Sequence, residues 1–314
     1  MPHRRTPTTS KGIDHRFARH AAALAIVVCL VVGVAARQAP KFHAETRLVV
    51  LHVTVTNGHG ELITNLDRGA FSVYEDGRPQ PLTLFLRDDV PISLGLIIDN
   101  SGSMRSLRER VEAAALVFVR ASNSMDDVFV LNFADKPRID VPFTNDVRVL
   151  EKGVTRVDSI GGTAMRDAIM MAENYLHEHA SHDRRGLLVI TDGKDNASRA
   201  SMAQLRQVVD RTGAVIFAVS LVSESDSAAT RKAGDELEHL TELTGGGVHY
   251  VTSLHDIEGV VLDIAHKIRS QYTMAYTPAN QALDGSFRAV RVKVARPGGL
   301  TARTRPGYWA TPSP

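Results

Sequence analysis

Five apolar runs between residues 93 and 251 constrain the fold of this chain more than any other feature. They read SLGLIID (93–99), VFVLNF (128–133), LLVIT (187–191), AVIFAVSLV (214–222) and VHYV (248–251). Each run is apolar at odd and even positions alike, which is typical of strands buried on both faces of a parallel sheet. Such a sheet needs helices on both of its faces, so the sequence predicts an α/β domain.

Amphipathic segments between these runs supply the helices. Two helix faces are indicated by apolar residues at helical spacing: Leu107, Val111, Ala114 and Phe118, and Ile257, Val260, Val261, Ile264 and Ile268. Ser106 with Glu109, and Ser201 with Gln204, are predicted capping boxes at helix starts. The alternation of strands and helices predicts a doubly wound, mostly parallel, Rossmann-like sheet over residues 91–271.

Short alternating strands flank this region on both sides. Residues 37–90 place Leu51, Val53 and Val55 on one strand face, and residues 272–314 return to the same alternation. A lone hairpin is marginal in water. We therefore expect the two segments to pair into one small β-sandwich-like unit, with the α/β domain inserted between them.

The first 36 residues have the composition of a targeting segment. They hold five Lys or Arg and one acid, and residues 21–36 (AAALAIVVCLVVGVAA) are uncharged. Val34 and Ala36 stand where a signal peptidase reads small residues. The run is shorter than the about 20 residues that span a bilayer. The sequence favours a cleaved export signal, with an uncleaved membrane anchor as the alternative, and a periplasmic, cell-surface or secreted protein.

Charge and cysteine content exclude several classes of function. Without the basic segment, 32 basic and 34 acidic residues remain (37 minus five and 35 minus one), so the body of the protein is nearly neutral. That balance gives no electrostatic case for nucleic-acid binding. Cys29 is the only cysteine. The exported body therefore has no disulfide, and any metal site must use oxygens or histidines.

Oxygen-bearing residues follow the ends of two predicted strands and occupy one predicted loop. Asp99, Ser101 and Ser103 alternate directly after the first strand, Thr163 lies in the loop GGTAMRDA, and Asp192 follows LLVIT. Ligands of a doubly wound sheet bind at the carboxyl edge of its strands, where these residues should meet. Two carboxylates and three hydroxyls suit Mg²⁺, Mn²⁺ or Ca²⁺ rather than Zn²⁺ or Cu²⁺.

Because only two of these ligands are anionic, a bound Mg²⁺ would remain a strong Lewis acid. It would therefore bind one further anionic oxygen from outside the chain. An Asp or Glu side chain of a partner protein would supply it. Taken alone, the Asp-x-Ser-x-Ser turn also fits a helix N-cap, since that position favours Asp and Ser. Together with Thr163 and Asp192, the turn fits a metal site better than a helix N-cap alone.

Several residues near these motifs are predicted to be structural. Asp195 is expected to be a solvated loop acid or a capping acid, and Asp167 a first-turn acid favoured by the helix dipole. His177 and His179 lie about 200° apart on a helix and cannot share a metal while it is helical. The methionines expected in the core are Met165, Met170 and Met171.

The order of the motifs resembles a known arrangement. DNSGS at 99–103, the GGT loop at 161–163 and TDG at 191–193 resemble the metal-ion-dependent adhesion site of von Willebrand factor type A domains, over roughly residues 91–270. By position, the resemblance implies that the three hydroxyl residues contact the metal directly and the two aspartates directly or through water. Asn100 and Gly102 would shape the turn.

The flanking segments add to this resemblance. VYEDGRPQPLTLF (73–85) and YTPANQALDGSFRAVRVKV (276–294), followed by RPGYWA (305–310), resemble a bacterial subfamily of exported proteins with such a domain. The resemblance implies a metal-dependent binding module without naming its partner.

The favoured function is therefore a metal-dependent protein-binding or adhesion module outside the cytoplasm. One alternative is a structural scaffold of the envelope, in which the metal only stabilises the domain. Another is a metal-assisted hydrolase with Ser101 or Ser103 as nucleophile. The hydrolase is disfavoured because the chain has no G-x-S-x-G motif, no phosphate loop and no histidine tied by motif to either serine. We do not expect an enzyme.

Overall fold

The structure, a computed structural model, describes residues 48–87, 90–155, 160–193, 195–221, 228–295 and 299–311, with the backbone alone at 228–233 and 254–255. The predicted export signal or anchor at residues 1–36 lies outside this part of the chain. No helix within these ranges is long and apolar enough to cross a membrane.

Fourteen strands and six α-helices form the described part of the chain. The strands are β1 (Val49–Thr56), β2 (Phe71–Glu75), β3 (Arg78–Gln80), β4 (Leu82–Leu86), β5 (Ile92–Asp99), β6 (Asp127–Phe133), β7 (Pro137–Thr144), β8 (Arg184–Thr191), β9 (Val215–Leu221), β10 (Gly247–Val251), β11 (Tyr272–Tyr276), β12 (Phe287–Val294), β13 (Thr301–Arg303) and β14 (Gly307–Trp309). The helices are α1 (Arg108–Ala121), α2 (Val147–Val154), α3 (Met165–His179), α4 (Met202–Thr212), α5 (Ala228–Thr244) and α6 (Leu254–Arg269).

The central sheet has six strands in the order β10-β9-β8-β5-β6-β7. Every neighbouring pair is parallel except β6 and β7, which are antiparallel. All five predicted strands are present. The edge strand β7 was not predicted, because an edge strand does not need to be apolar on both faces, and most of its residues are partly exposed.

The two faces of this sheet are covered by separate sets of helices. In β5, Leu96 and Ile98 pack with α1, α2 and α6, whereas Ile97 packs with α3, α4 and α5. All three side chains are fully buried. At Gly95, directly before them in the strand, a Cβ would lie 2.4 Å from the ring of Phe129, so only glycine fits. The doubly wound α/β fold is therefore confirmed.

The two predicted capping boxes have different outcomes. Ser201 and Gln204 form the reciprocal box at the start of α4. The prediction for Ser106 and Glu109 is wrong, because a 3₁₀ helix already runs from Gly102 to Leu107 and α1 begins at Arg108. Ser106 is thus inside a helical turn, where its backbone cannot take the extended conformation of an N-cap.

Strands from both ends of the chain form two antiparallel sheets, in the orders β13-β1-β11-β4 and β14-β12-β2-β3. Strand β1 pairs with β11 and β13, and β2 pairs with β12. One apolar core lies between the sheets and includes Leu51, Val53 and Tyr272. The β-sandwich-like unit of N- and C-terminal strands is therefore present.

A buried polar contact joins the two sheets of this unit. The hydroxyls of Tyr276 and Tyr308 both donate to Oε2 of Glu75, each at 2.8 Å. Glu75 is 3 % exposed. Burial and the bond to Glu75 raise the pKa of Tyr276, so its hydroxyl stays protonated and keeps donating. The carboxylate on β2 thereby links strands β11 and β14.

Candidate metal centre

Asp99, Ser101 and Ser103 form a compact turn at the carboxyl end of β5. The backbone N–H of Ser101 donates to Asp99 Oδ1 at 2.9 Å, and the hydroxyl oxygens of Ser101 and Ser103 lie 3.0 Å apart. Asp99 and Ser101 are buried, whereas Ser103 is exposed. Ser101 does occupy an N-cap position, but its side chain makes no capping hydrogen bond. Its hydroxyl faces the Ser103 hydroxyl instead.

The turn is held by its neighbours on both sides. The N–H of Asn100 donates to the Phe133 carbonyl at 2.7 Å, and its side-chain amide donates to Asn132 Oδ1 at 2.9 Å. The N–H of Gly102 donates to the Gly161 carbonyl at 3.0 Å. The first motif is thus tied to strand β6 and directly to the GGT loop.

Gly161 of the GGT loop lies so close to the Asp135 carboxylate that only glycine fits. This residue has φ +94°, and a Cβ on it would lie 2.3 Å from Oδ2 of Asp135. Oδ1 of the same carboxylate accepts from the Gly162 N–H at 2.6 Å. Asp135 is a positioning residue that the sequence analysis did not identify. It follows the end of β6, so the rule that functional groups gather at carboxyl ends of strands could have found it.

Thr163 is fixed by the segment that follows the third motif. Its N–H donates to Asn196 Oδ1 at 2.8 Å, and its carbonyl accepts from the N–H groups of Asn196 and Ala197 at 3.0 and 3.1 Å. Thr163 is 2 % exposed. Asn196 is a second positioning residue that was not predicted, because nothing in its sequence context shows that it reaches a loop 33 residues away.

Asp99 and Asp192 are two buried carboxylates at one edge of the sheet. The hydroxyl of Thr191, next to Asp192, donates to Asp99 Oδ2 at 2.6 Å. Burial raises the pKa of Asp99 to about 6; hydrogen bonds from Thr191 and Ser101 oppose the shift, and the charge of Asp192 adds to it. A bound cation would favour the ionised form of Asp99 and so oppose this shift.

These residues suit a hard divalent cation. Both carboxylates are buried, and the remaining predicted donors are hydroxyl oxygens, which Mg²⁺ and Ca²⁺ accept as ligands. Within the described ranges, no group of three or more His, Cys, Asp or Glu side chains could hold a metal. A cation here would therefore depend on the hydroxyls of Ser101, Ser103 and Thr163 as well as on Asp99 and Asp192.

Two nearby acids have structural roles at the start of α3. Asp195 accepts from the Arg166 N–H at 2.8 Å and pairs with its guanidinium at 3.2 Å. Its side chain is 2 % exposed. Of the two expected roles, capping is therefore the one present, and the ion pair allows the carboxylate to be buried rather than solvated. Asp167 lies in the first turn as expected and accepts from the N–H groups of Arg199 and Ala200.

The other residues of α3 follow its helical period. Met165 is buried and Met170 packs against the core. Met171 is 37 % exposed, so its assignment to the core is wrong, since it lies off the stripe of buried positions. His177 and His179 are exposed at the helix end, where His179 stacks on Tyr175, and neither approaches the candidate site.

The α/β region matches a known family. Residues 94–194 match the family model described as the von Willebrand factor type A domain. This range contains Asp99, Ser101, Ser103, Thr163 and Asp192. No curated protein sequence matches the chain.

Solved structures resemble the chain at low sequence identity. A von Willebrand factor type A protein from Catenulispora acidiphila is 14 % identical with a TM-score of 0.51, covering 86 % of this chain and 74 % of its own. Protein BatB from Bacteroides thetaiotaomicron is 16 % identical with a TM-score of 0.46, covering 57 % and 100 %. The domain of the type V pili tip protein Mfa5 from Porphyromonas gingivalis is 11 % identical with a TM-score of 0.48, covering 58 % and 96 %. The likeness to the Catenulispora protein shows the fold.

Proposed function

Because its α/β region is a von Willebrand factor type A domain, we propose that this chain is an exported, metal-dependent protein-binding module. Domains of this family generally bind protein partners. The observation that supports the metal part is the joining of the three motif loops at one edge of the sheet: Gly102 bonds to Gly161, and Thr191, next to Asp192, bonds to Asp99. Export is proposed from the composition of residues 1–36.

Asp99, Ser101, Ser103, Thr163 and Asp192 would hold the cation, with Mg²⁺ favoured over Mn²⁺ and Ca²⁺. A bound cation would supply an open coordination position for an anionic oxygen from outside. Two ionised aspartates would balance the charge of a divalent cation, and the three hydroxyl ligands are neutral. The open position would accept one further oxygen ligand, for which we propose an Asp or Glu carboxylate on the partner.

The surroundings of the site fit a protein partner. Ile160 is 66 % exposed directly before the GGT loop, and its N–H donates to the Asn100 carbonyl at 3.2 Å. An exposed isoleucine held at the rim can pack against apolar groups beside the partner's carboxylate. The buried core of a protein interface is more apolar than its rim, so an exposed isoleucine beside the site fits contact with a protein partner.

A binding role accounts for the two serines better than an enzymatic role. A serine nucleophile needs a neighbouring base. The described partners of the two serine hydroxyls are each other, at 3.0 Å, and Asp99 for Ser101, and no histidine is among them. We therefore propose no hydrolase activity for this site.

Capture of a carboxylate can be tested without knowing the partner. The chain from residue 37 onward contains the whole compact unit that begins at Arg47. Loaded with Mn²⁺, it should enhance the relaxation of water protons. A peptide that contains glutamate should lower that enhancement by displacing metal-bound water. The same peptide with glutamine in place of glutamate should not lower it. Equal effects of the two peptides would refute carboxylate capture, and the Thr163→Ala variant should show no enhancement.

A further inference from the structure

A polar side chain interrupts the apolar surface of β6. Asn132 follows Val128 and Val130 on the sheet face that packs with α1, α2 and α6. It is 4 % exposed. A buried amide costs free energy unless its donors and its acceptor are hydrogen-bonded. The partners of Asn132 therefore indicate why this position is polar.

The amide of Asn132 is hydrogen-bonded on both sides. Oδ1 accepts from Nδ2 of Asn100 at 2.9 Å. Nδ2 donates to Oδ2 of Asp140 at 2.6 Å and to the Gly153 carbonyl at 3.3 Å. A carboxylate and a carbonyl can only accept, so they fix the side on which the amide carries its nitrogen. Oδ1 must then face Asn100 in the turn of the first motif.

The carboxylate of Asp140 is itself fixed in place. Its side chain on β7 is 4 % exposed, and Arg138 of the same strand pairs with it, Nε to Oδ1 at 2.5 Å. Hydrogen bonds to an ionised group are shorter and stronger than those between neutral groups. The bond to Asp140 is therefore the main anchor of the Asn132 amide.

Gly153 brings the end of α2 to the same amide. A Cβ on Gly153 would overlap Cγ2 of Val141 on β7, so the helix packs more closely on the strand than a larger residue would allow. Carbonyls in the last turn of a helix have no partner inside the helix, and Asn132 supplies one from outside. The chain then runs from α2 towards the GGT loop.

Asn100 connects this network to both motif loops. It stands between Asp99 and Ser101, and its carbonyl accepts from the N–H of Ile160, directly before the GGT loop, at 3.2 Å. A displacement of Asn100 would therefore move the hydroxyls of the first motif relative to Thr163.

We propose that Asn132 is a positioning residue of the metal centre and acts through Asn100. Its amide holds the turn of the first motif against β7 and α2, so that Ser101 and Ser103 keep their places relative to Thr163. This role rests on the proposed metal-dependent function. Groups that orient metal ligands without touching the metal change its affinity about 10–100-fold when they are removed.

Calorimetric titration of Mg²⁺ into the chain from residue 37 onward tests this role. Asn132→Ala should weaken Mg²⁺ binding about tenfold or more, because the turn loses its support. Asn100→Ala should weaken it to a similar degree. The double variant should bind no more weakly than either single variant, since both substitutions break the same connection. Additive losses would overturn the proposal that Asn132 acts through Asn100.

Substitutions of Asp140 separate position from charge, and they test the same network if Asn132→Ala does not fold. Asp140→Asn keeps an oxygen that can accept from Asn132, whereas Asp140→Ala does not. A positioning role predicts that Asp140→Asn retains most of the Mg²⁺ affinity and that Asp140→Ala loses it about tenfold. Equal losses would mean that Asp140 acts only through its negative charge, and they would overturn the proposal.

Gln271→Ala controls for a loss of stability alone. Gln271 is 2 % exposed, and its side chain donates to the Thr54 hydroxyl at 3.1 Å, a buried bond of the antiparallel unit. This variant should lower the melting temperature and leave the Mg²⁺ affinity unchanged. An equal loss of affinity in Gln271→Ala and Asn132→Ala would contradict a specific role for Asn132.

Failure of the positioning role can be told apart from failure of the metal centre. Wild-type binding that is unchanged in Asn132→Ala would overturn the positioning role alone, whereas folded wild-type protein that binds no divalent cation would overturn both. Hydrogen exchange gives a readout without metal. Because the Gly102 N–H bonds to the Gly161 carbonyl, its exchange should be faster in Asn132→Ala, and an unchanged rate would also overturn the role.

Discussion

Glu173 makes the stability of the α/β domain depend on pH in a direction opposite to that of most acids. It lies on α3 with 0 % exposure, and its carboxyl hydrogen-bonds to the Thr212 hydroxyl. Oε1 has no hydrogen-bond partner within the described ranges. Burial raises the pKa of Glu173 from 4.5 to about 8, against the opposing hydrogen bond from Thr212 and the charge of Arg185. The side chain is therefore mostly protonated in the folded protein at neutral pH.

The sign of the effect follows from proton linkage. Between pH 4.5 and about 8 the folded state binds a proton that the unfolded state has released. The free energy of unfolding therefore falls as pH rises through this window. The contribution is fully present below 4.5 and lost above 8. The difference between the two pKa values corresponds to on the order of 5 kcal/mol in total, lost at roughly 1 kcal/mol per pH unit inside the window.

The variant Glu173→Gln isolates this contribution, since glutamine has nearly the same shape and does not titrate. Urea unfolding of both proteins at about pH 5, 6 and 7 should show the variant gaining about 1 kcal/mol over the wild type with each pH unit. Glu178→Gln, at an exposed position of the same helix, is the control and should show no such trend. A stability difference between Glu173→Gln and wild type that is constant across this range would refute the reasoning.

Two further predictions concern positions that the fold constrains. Gly161→Ala should weaken Mg²⁺ binding and lower the free energy of unfolding by about 1–3 kcal/mol, since its positive φ and the nearby Asp135 exclude a Cβ. Gly60→Ala, at φ +81° in open space, controls for the backbone strain alone. Equal losses in the two variants, measured by calorimetry and urea unfolding, would contradict the prediction. Glu75→Ala should lower the free energy of unfolding by about 2–4 kcal/mol, because two buried tyrosine hydroxyls lose their acceptor. Urea unfolding measures this loss, and a value no larger than that for Asp67→Ala, at an exposed position, would contradict the prediction.

The fold could be predicted where burial on both faces leaves a mark in the sequence. The five central strands are such runs, and the motifs at their carboxyl ends gave the candidate ligands. Strand β7 is an edge strand with polar positions, so it has no continuous apolar run from which it could be predicted. Met171 was assigned to the core from residue type alone, although its place on α3 turns it away from the buried stripe.

The residues that position the site were harder to find than the candidate ligands. Asp135 and Asn196 hold the GGT loop through contacts across 27 and 33 residues, and neither belongs to a motif. Local patterns show what an element needs to bury, but the neighbour that an isolated polar side chain will meet is decided by the tertiary fold.

Calorimetric titration of Mg²⁺ into the chain from residue 37 onward tests the metal centre most directly, with the melting temperature followed at each concentration. We expect saturable binding with one ion per chain and a rise in melting temperature as the concentration passes the dissociation constant. Asp99→Ala and Thr163→Ala should abolish both effects, and the exposed Asp67→Ala should retain them. Folded wild-type protein that binds neither Mg²⁺, Mn²⁺ nor Ca²⁺, or binding that survives in both site variants, would contradict the assignment of the metal centre.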